Sequence, residues 1–212
     1  VTKDKLLNIL KENIFYPLEM NETNFFISED KNKNLVETFE YNSFNTKLTD
    51  LTMGKRKLIL YGYPANNENY CRGGHGLFST AADYIKFASM LINGEDKNAK
   101  PLVNMETLQS MRHNSLDTNL LPIEITSTNT IKDQNYENDL DGYGWGLGLR
   151  VLMNNTSQNK FGVIGEFGWS GYAATYFLVD PMNDLSAVVM MQILDADKNI
   201  KKDFYNNIFK NL

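Results

Sequence analysis

Apolar positions recur first at helical spacing and later at strand spacing along the chain. Leu6, Leu7, Leu10 and Ile14 predict an amphipathic helix over 2–15, with Thr2 as N-cap, Asp4 in the first turn and Pro17 closing it. Between 21 and 69 the pattern loosens into short apolar pieces, 24–27 and 57–61, separated by Asn, Lys and Asp runs that predict turns and little regular structure. Thr80 and Asp83 have capping-box spacing, so a helix is expected to start there, bury Tyr84, Phe87, Ala88 and Leu91, and stop at Asn93-Gly94. Asn104 caps a shorter helix carrying Met105, Leu108 and Met111, and 114–141 shows no period and reads as a long surface excursion.

The period then changes. Main strands are expected over 143–151, 173–179 and 185–193, with one short, mixed piece at 160–164. Asp180-Pro181-Met182-Asn183-Asp184 is turn chemistry and makes the last two main strands an antiparallel hairpin. Residues 196–209 offer Ile200, Phe204 and Ile208, continued by Leu212, as a stripe covering one sheet face. The expectation is an α+β protein: a mostly helical and loop region over 1–141, then antiparallel strands flanked by helices and a C-terminal helix over 142–212.

Composition narrows the function. At 212 residues and 42% hydrophobic the chain can bury a core. A net charge of -5 argues against a phosphate-tracking nucleic-acid binder, because the 21 Lys and Arg are interspersed with 26 acids. No apolar run reaches the roughly 18 residues of a membrane span, and no targeting signal is visible. Cys71 is the single cysteine, so no internal disulfide can form. His75 and His113 are too few for a multi-histidine zinc centre, and no metal or other cofactor is expected. His75 in its glycine-rich loop can face a ligand, and an exposed loop residue accounts for it equally well. His113, just past a helix, reads as a solvated end residue interacting with the helix dipole.

Several strings fail chemical tests. Gly168-Trp169-Ser170-Gly171-Tyr172 is no nucleophile elbow, since Tyr stands at the last position and the context is loop-to-strand. Asp195, Asp197 and Asn199 open like a calcium loop, but Ile200 and Asn206 occupy the positions that need Gly and Glu. Gly144, Gly146 and Gly148 alternate, which predicts a smooth strand face for close packing rather than a phosphate cradle.

Three blocks taken together, 73–84 (Gly-Gly-His-Gly-Leu-Phe-Ser-Thr-Ala-Ala-Asp-Tyr), 143–148 (Tyr-Gly-Trp-Gly-Leu-Gly) and 167–171 (Phe-Gly-Trp-Ser-Gly), the last followed by Tyr176 to Pro181, resemble the serine β-lactamase-like hydrolases, in their class C and esterase-type branch. The resemblance implies a sheet flanked by helices and acyl transfer through a serine ester, with motifs of Ser-x-x-Lys, Tyr-x-Asn and Lys-Thr-Gly, His-x-Gly or Trp-x-Gly type. Trp169-Ser170-Gly171 matches the third motif, which implies substrate contact by Trp169, Ser170 and Gly171, with His75 nearby, and an oxyanion donor in the backbone N–H of Tyr172. Trp in place of a cationic residue favours small-molecule esters or uncharged amides, unless Arg72 or Arg150 supplies the charge. The resemblance is consistent with an exported bacterial protein.

The first two motifs are not matched. Ser28-x-x-Lys31 and Ser157-x-x-Lys160 lie in polar loop sequence, and Tyr136-Glu137-Asn138 and Tyr205-Asn206-Asn207 match by accident. The chain therefore resembles the family's C-terminal portion, lacking the nucleophile and inactive by itself. In such folds the preceding segment covers the last strand, so 185–193 is expected to need cover from a complementary N-terminal fragment, a second copy in a homodimer or a local rearrangement. A non-catalytic binding or interaction protein of the same fold is the rival expectation, and an unrelated α+β protein the third.

Overall fold

Leu7, half-buried Leu10 and Phe15 mark one side of the first helix, where the hydrophobic stripe was expected. The computed structural model describes residues 3–42, 47–50, 71, 73–74, 76–123, 140–157, 159–171, 173–194, 196 and 198–210. Helix α1 (Leu6–Leu10) runs on into a π-helical turn, Lys11–Phe15. It begins later than Thr2 predicts, because the Asp4 carboxylate accepts from Lys5 N–H (2.7 Å) and Asn8 Nδ2 (2.9 Å) and holds the chain in a bend. Strands β1 (Phe39–Asn42) and β2 (Lys47–Asp50) fall within the segment read as irregular. Helix α2 (Ala81–Asn93) starts at Thr80, whose side chain accepts from Asp83 N–H (3.1 Å), and ends at Gly94 with φ +82°. The Asp83 carboxylate does not close the capping box. It accepts from Glu22 N–H (2.7 Å) and Thr23 Oγ1 (3.0 Å) and so fastens residues 22–23 to α2.

Helix α3 (Met105–Arg112) is capped by Asn104, as expected, through Thr107 N–H (2.8 Å). Arg112 at its end donates to the carbonyls of Leu91 (2.6 Å) and Ile92, satisfying the last turn of α2, and its guanidinium lies 5.5 Å from the Phe167 ring centroid.

Strands β3 (Tyr143–Trp145), β4 (Arg150–Leu152), β5 (Phe167–Ser170), β6 (Tyr176–Asp180) and β7 (Leu185–Val189) form one sheet in that order, each pair antiparallel. The expected strand over 143–151 is in fact a hairpin: Gly146 N–H reaches Leu149 O (2.8 Å), and Gly148 takes φ +83° in the turn. Residues 160–164 contain turns and no strand. The β6–β7 hairpin forms as expected, with the Asp180 carboxylate accepting from Met182 N–H (3.0 Å). The apolar run to 193 breaks at 190–192, where the chain leaves the large sheet; β8 (Ile193–Leu194) pairs parallel with β1 in a second sheet of order β2-β1-β8.

Side-chain alternation divides the large sheet into two faces. The row Val151, Phe167 and Val179 is buried against α2 and α3 with Leu91 and Leu108. The row Arg150, Gly168, Leu178 and Ala187 faces helix α4 (Lys198–Phe209), which inserts Tyr205 and Phe209. The expected α4 stripe is thus shifted by one residue: Phe204 and Ile208 are half-buried, while Tyr205 and Phe209 lie deepest. Tyr205, outside the stripe expected from sequence, is the residue of α4 that meets buried charge.

Candidate active site

β5 is the middle strand, held in register by Arg150 opposite Gly168 on one side and Trp169 opposite Phe177 on the other. Gly168 is required by space: a Cβ there would stand 2.2 Å from the Phe177 carbonyl oxygen. The Trp169 indole meets that of Trp145 edge-to-face, with centroids 4.7 Å apart at 81°. These are the two tryptophans of the chain.

Trp145 is fixed from outside the sheet. Its N–H donates to Asn114 Oδ1 (3.0 Å), and its carbonyl accepts from Ser115 N–H (2.7 Å). This close approach explains the alternating glycines, since a Cβ on Gly144 would strike the Asn114 side chain at 2.6 Å and one on Gly146 the Met111 carbonyl at 1.9 Å. Gly148 does not share that face and belongs to the turn.

After Ser170, which pairs with Tyr176, the strand closes through a tight loop in which Gly171 N–H donates to Thr175 O (2.7 Å). The structure thus brings Trp169, Ser170 and Gly171 together at the end of β5. Tyr172, the expected oxyanion donor, and His75 lie outside the described residues, as do Arg72, Tyr136, Asp195 and Asp197. His113 ends α3, exposed, with Nδ1 2.9 Å from Gln109 O.

Both Ser-x-x-Lys strings fail as nucleophile pairs. Lys31 is ion-paired to Glu22 at 2.7 Å, and that partner raises its pKa, opposite to what a proton-accepting lysine needs. Ser157 and Lys160 are exposed. Tyr205 of the accidental Tyr-x-Asn string is buried on α4.

Behind β5 lies a buried polar cluster. Arg150 is 1% exposed and directed into the protein, so it cannot serve as the substrate-facing cation considered from sequence. Its Nη2 donates to the Tyr205 hydroxyl, and its guanidinium stands 4.9 Å from the Tyr143 ring centroid. Burial works against its charge, and Tyr205, Tyr143 and Glu166 outweigh that effect and hold it protonated. Glu166, also 1% exposed, accepts from the Tyr143 hydroxyl at 3.1 Å. Burial pushes its carboxyl up to about 7, against the opposing pull of Arg150 and Tyr143. Arg150 Nη1 and Glu166 Oε2 have no hydrogen-bond partner among the described residues. Sequence reasoning missed Glu166, because one acid before a glycine-rich strand looks like any loop acid.

A family model described as Beta-lactamase matches residues 1–209. The chain belongs to the beta-lactamase family. Among solved structures, a mutant of simvastatin synthase (LovD) from Aspergillus terreus superposes with TM-score 0.77 at 21% identity, covering 99% of this chain and 52% of that one. EstCE1, described as a hydrolase with promiscuous acyltransferase activity, superposes with TM-score 0.68 at 17% identity, covering 95% of this chain and 51% of that one. Protein Rv1367c of Mycobacterium tuberculosis is 24% identical over 88% of this chain and 43% of its own length. The chain thus spans about half the length of the relatives it matches. As a beta-lactamase-family member it shares the fold of serine hydrolases and acyltransferases. No helix among the described residues is long and apolar enough to cross a membrane.

Proposed function

We propose that this chain forms one wall of a serine acyl-transfer site for a small-molecule ester or uncharged amide, with the serine nucleophile and its lysine contributed from outside these residues. The observation that carries the reading is Trp169-Ser170-Gly171 on the middle strand of a beta-lactamase-family sheet, its tryptophan held edge-to-face against Trp145. The contributed serine Oγ, its proton passing to the contributed lysine, attacks the substrate carbonyl carbon, the backbone N–H of Tyr172 donates to the developing oxyanion, and the alcohol or amine leaves with that proton as the acyl ester forms. His75 would line the same cleft. With Arg150 buried beneath the sheet, Trp169 presents an uncharged surface, which supports neutral substrates over carboxylate-bearing ones. The promiscuous acyltransferase activity of the similar hydrolase EstCE1 supports the reaction class.

β7 pairs with β6 alone among the described strands, and its edge would receive a strand from a complementary segment or a second copy. Two measurements test the reading. Intact mass after exposure to 4-nitrophenyl acetate or a fluorescent penicillin should be unchanged, and an acyl adduct on any serine of these residues overturns the assignment of the nucleophile elsewhere. Sedimentation should show association, and a cooperatively melting monomer refutes the need for cover at β7.

A further inference from the structure

Glu166 and Tyr143 are joined by a hydrogen bond that passes from the start of β5 to β3, over the β4 strand between them. Glu166 lies three residues before Trp169, and Tyr143 lies two before Trp145. The bond therefore links the two strands that carry the two tryptophans. Arg150, on the intervening strand opposite Gly168, stacks on Tyr143 and donates to Tyr205, which joins α4 to the same point.

We infer that Glu166 is a positioning residue: together with Arg150, Tyr143 and Tyr205 it clamps β3, β4, β5 and α4 behind the site strand, and the presence or absence of its proton changes the setting of Trp169 against Trp145. The clamp's bearing on acyl transfer rests on the function proposed above; the clamp itself stands on the contacts alone.

The chemistry follows from what faces the carboxyl. Arg150 of β4 and Lys201 of α4 favour its ionised form, as does the hydrogen bond from Tyr143, while burial and Asp180 of β6 oppose it; Tyr205 completes the enclosure and is engaged by Arg150. Protonated, Glu166 leaves Arg150 as an isolated buried cation held by the two tyrosines. Ionised, it draws the guanidinium, whose Nη1 has no hydrogen-bond partner among the described residues, toward its own Oε2, which likewise has none among them. Either shift moves Tyr143 and, through β3, Trp145.

The two indoles give a direct readout, since their coupled circular dichroism depends on their mutual geometry. The 212-residue chain would be titrated from about pH 5 to about pH 9, with the far-ultraviolet signal as a check on folding. The wild type should show a sigmoidal change in the indole signal centred near 7, absent in Glu166→Gln. Tyr143→Phe, which removes the hydroxyl donor that favours the carboxylate, should move the midpoint upward, and this arm decides the matter if Glu166→Gln does not fold. His113→Asn should leave the curve unchanged. A flat wild-type signal, an inflection that survives Glu166→Gln, or an unmoved midpoint in Tyr143→Phe overturns the inference. None of these outcomes depends on turnover, whereas an acyl adduct on this chain would overturn the proposed function and leave the clamp standing.

Discussion

The two faces of the large sheet are built from different materials. Toward α2 and α3 the sheet buries Val151, Phe167 and Val179 in an apolar core. Toward α4 the apolar contacts of Leu178, Tyr205 and Phe209 adjoin a buried cation and a buried carboxyl. Charge removed from water loses several kcal/mol per ion unless it is paired, so the α4 face contributes less net stability per residue than the α2 face. What it gains is sensitivity: a group that changes charge near neutrality sits directly behind the site strand. The same strand, β5, is thus held by insulation on one side and by an ionisable contact on the other.

Truncation on the apolar side should have the largest effect. Phe167→Ala removes a fully buried ring that also carries the Arg112 guanidinium, and chemical denaturation should show a loss of about 4 kcal/mol, equal at pH 5 and pH 8. On the other face, Arg150→Ala leaves Glu166 buried without its cation. The loss there should be about 3 kcal/mol at a pH above 7 and clearly smaller at pH 5, where Glu166 is protonated. Replacing both at once, Arg150→Met with Glu166→Leu, should bring stability above pH 7 to within about 1 kcal/mol of the wild type and remove the pH dependence that Glu166 confers. A pH-independent loss in Arg150→Ala would erase the distinction between the faces.

A subtler effect is the pH dependence of the unmodified protein. Burial raises the Glu166 carboxyl from its ordinary 4.5 to about 7, so the folded state binds more protons than the unfolded state between those values. Stability from this group therefore falls as pH rises from about 4.5 through about 7, by on the order of 3 kcal/mol at about 1.4 kcal/mol per pH unit. Asp96 and Asp30, whose pKa values are lowered by hydrogen bonds, lose stabilising interactions only as pH falls into the range below 3.8. The difference between wild type and Glu166→Gln across the neutral window isolates the Glu166 contribution. The smallest expected effect belongs to neither face: Asn104→Ala removes the α3 cap and should cost about 1 kcal/mol at any pH.

Sequence made the local parts legible wherever one residue type is needed by geometry. Thr80, Asn104 and Gly94 mark helix ends by hydrogen-bonding capacity and positive φ, and the 180–184 turn joins β6 to β7. The glycine alternation at 144 and 146 correctly announced a close backbone approach, although not that Met111 and Asn114 would be the partners. Pairings distant in sequence were hidden. β1 and β2 carry no strong alternation; they pair with each other, and β1 gains a parallel partner in β8, where Phe39 meets Ile193, a pairing that no local window contains. The candidate site divided in the same way: Trp169-Ser170-Gly171 carries a local resemblance to a motif, whereas the cluster behind it is assembled from four elements and carries none. Arg150 looked like a substrate cation and Glu166 like a loop acid, because sequence shows that a residue is charged and only packing shows which way the charge points.

The most direct test of this account is the titration of Glu166 itself, followed by the side-chain carboxyl carbon resonance in glutamate-labelled protein and assigned by its loss in Glu166→Gln. The account predicts one resonance with its midpoint near 7, well above the ordinary 4.5. A Glu166 resonance that titrates with the exposed glutamates would contradict it, because the carboxyl behind β5 would then be neither desolvated nor able to act on the site strand near neutral pH.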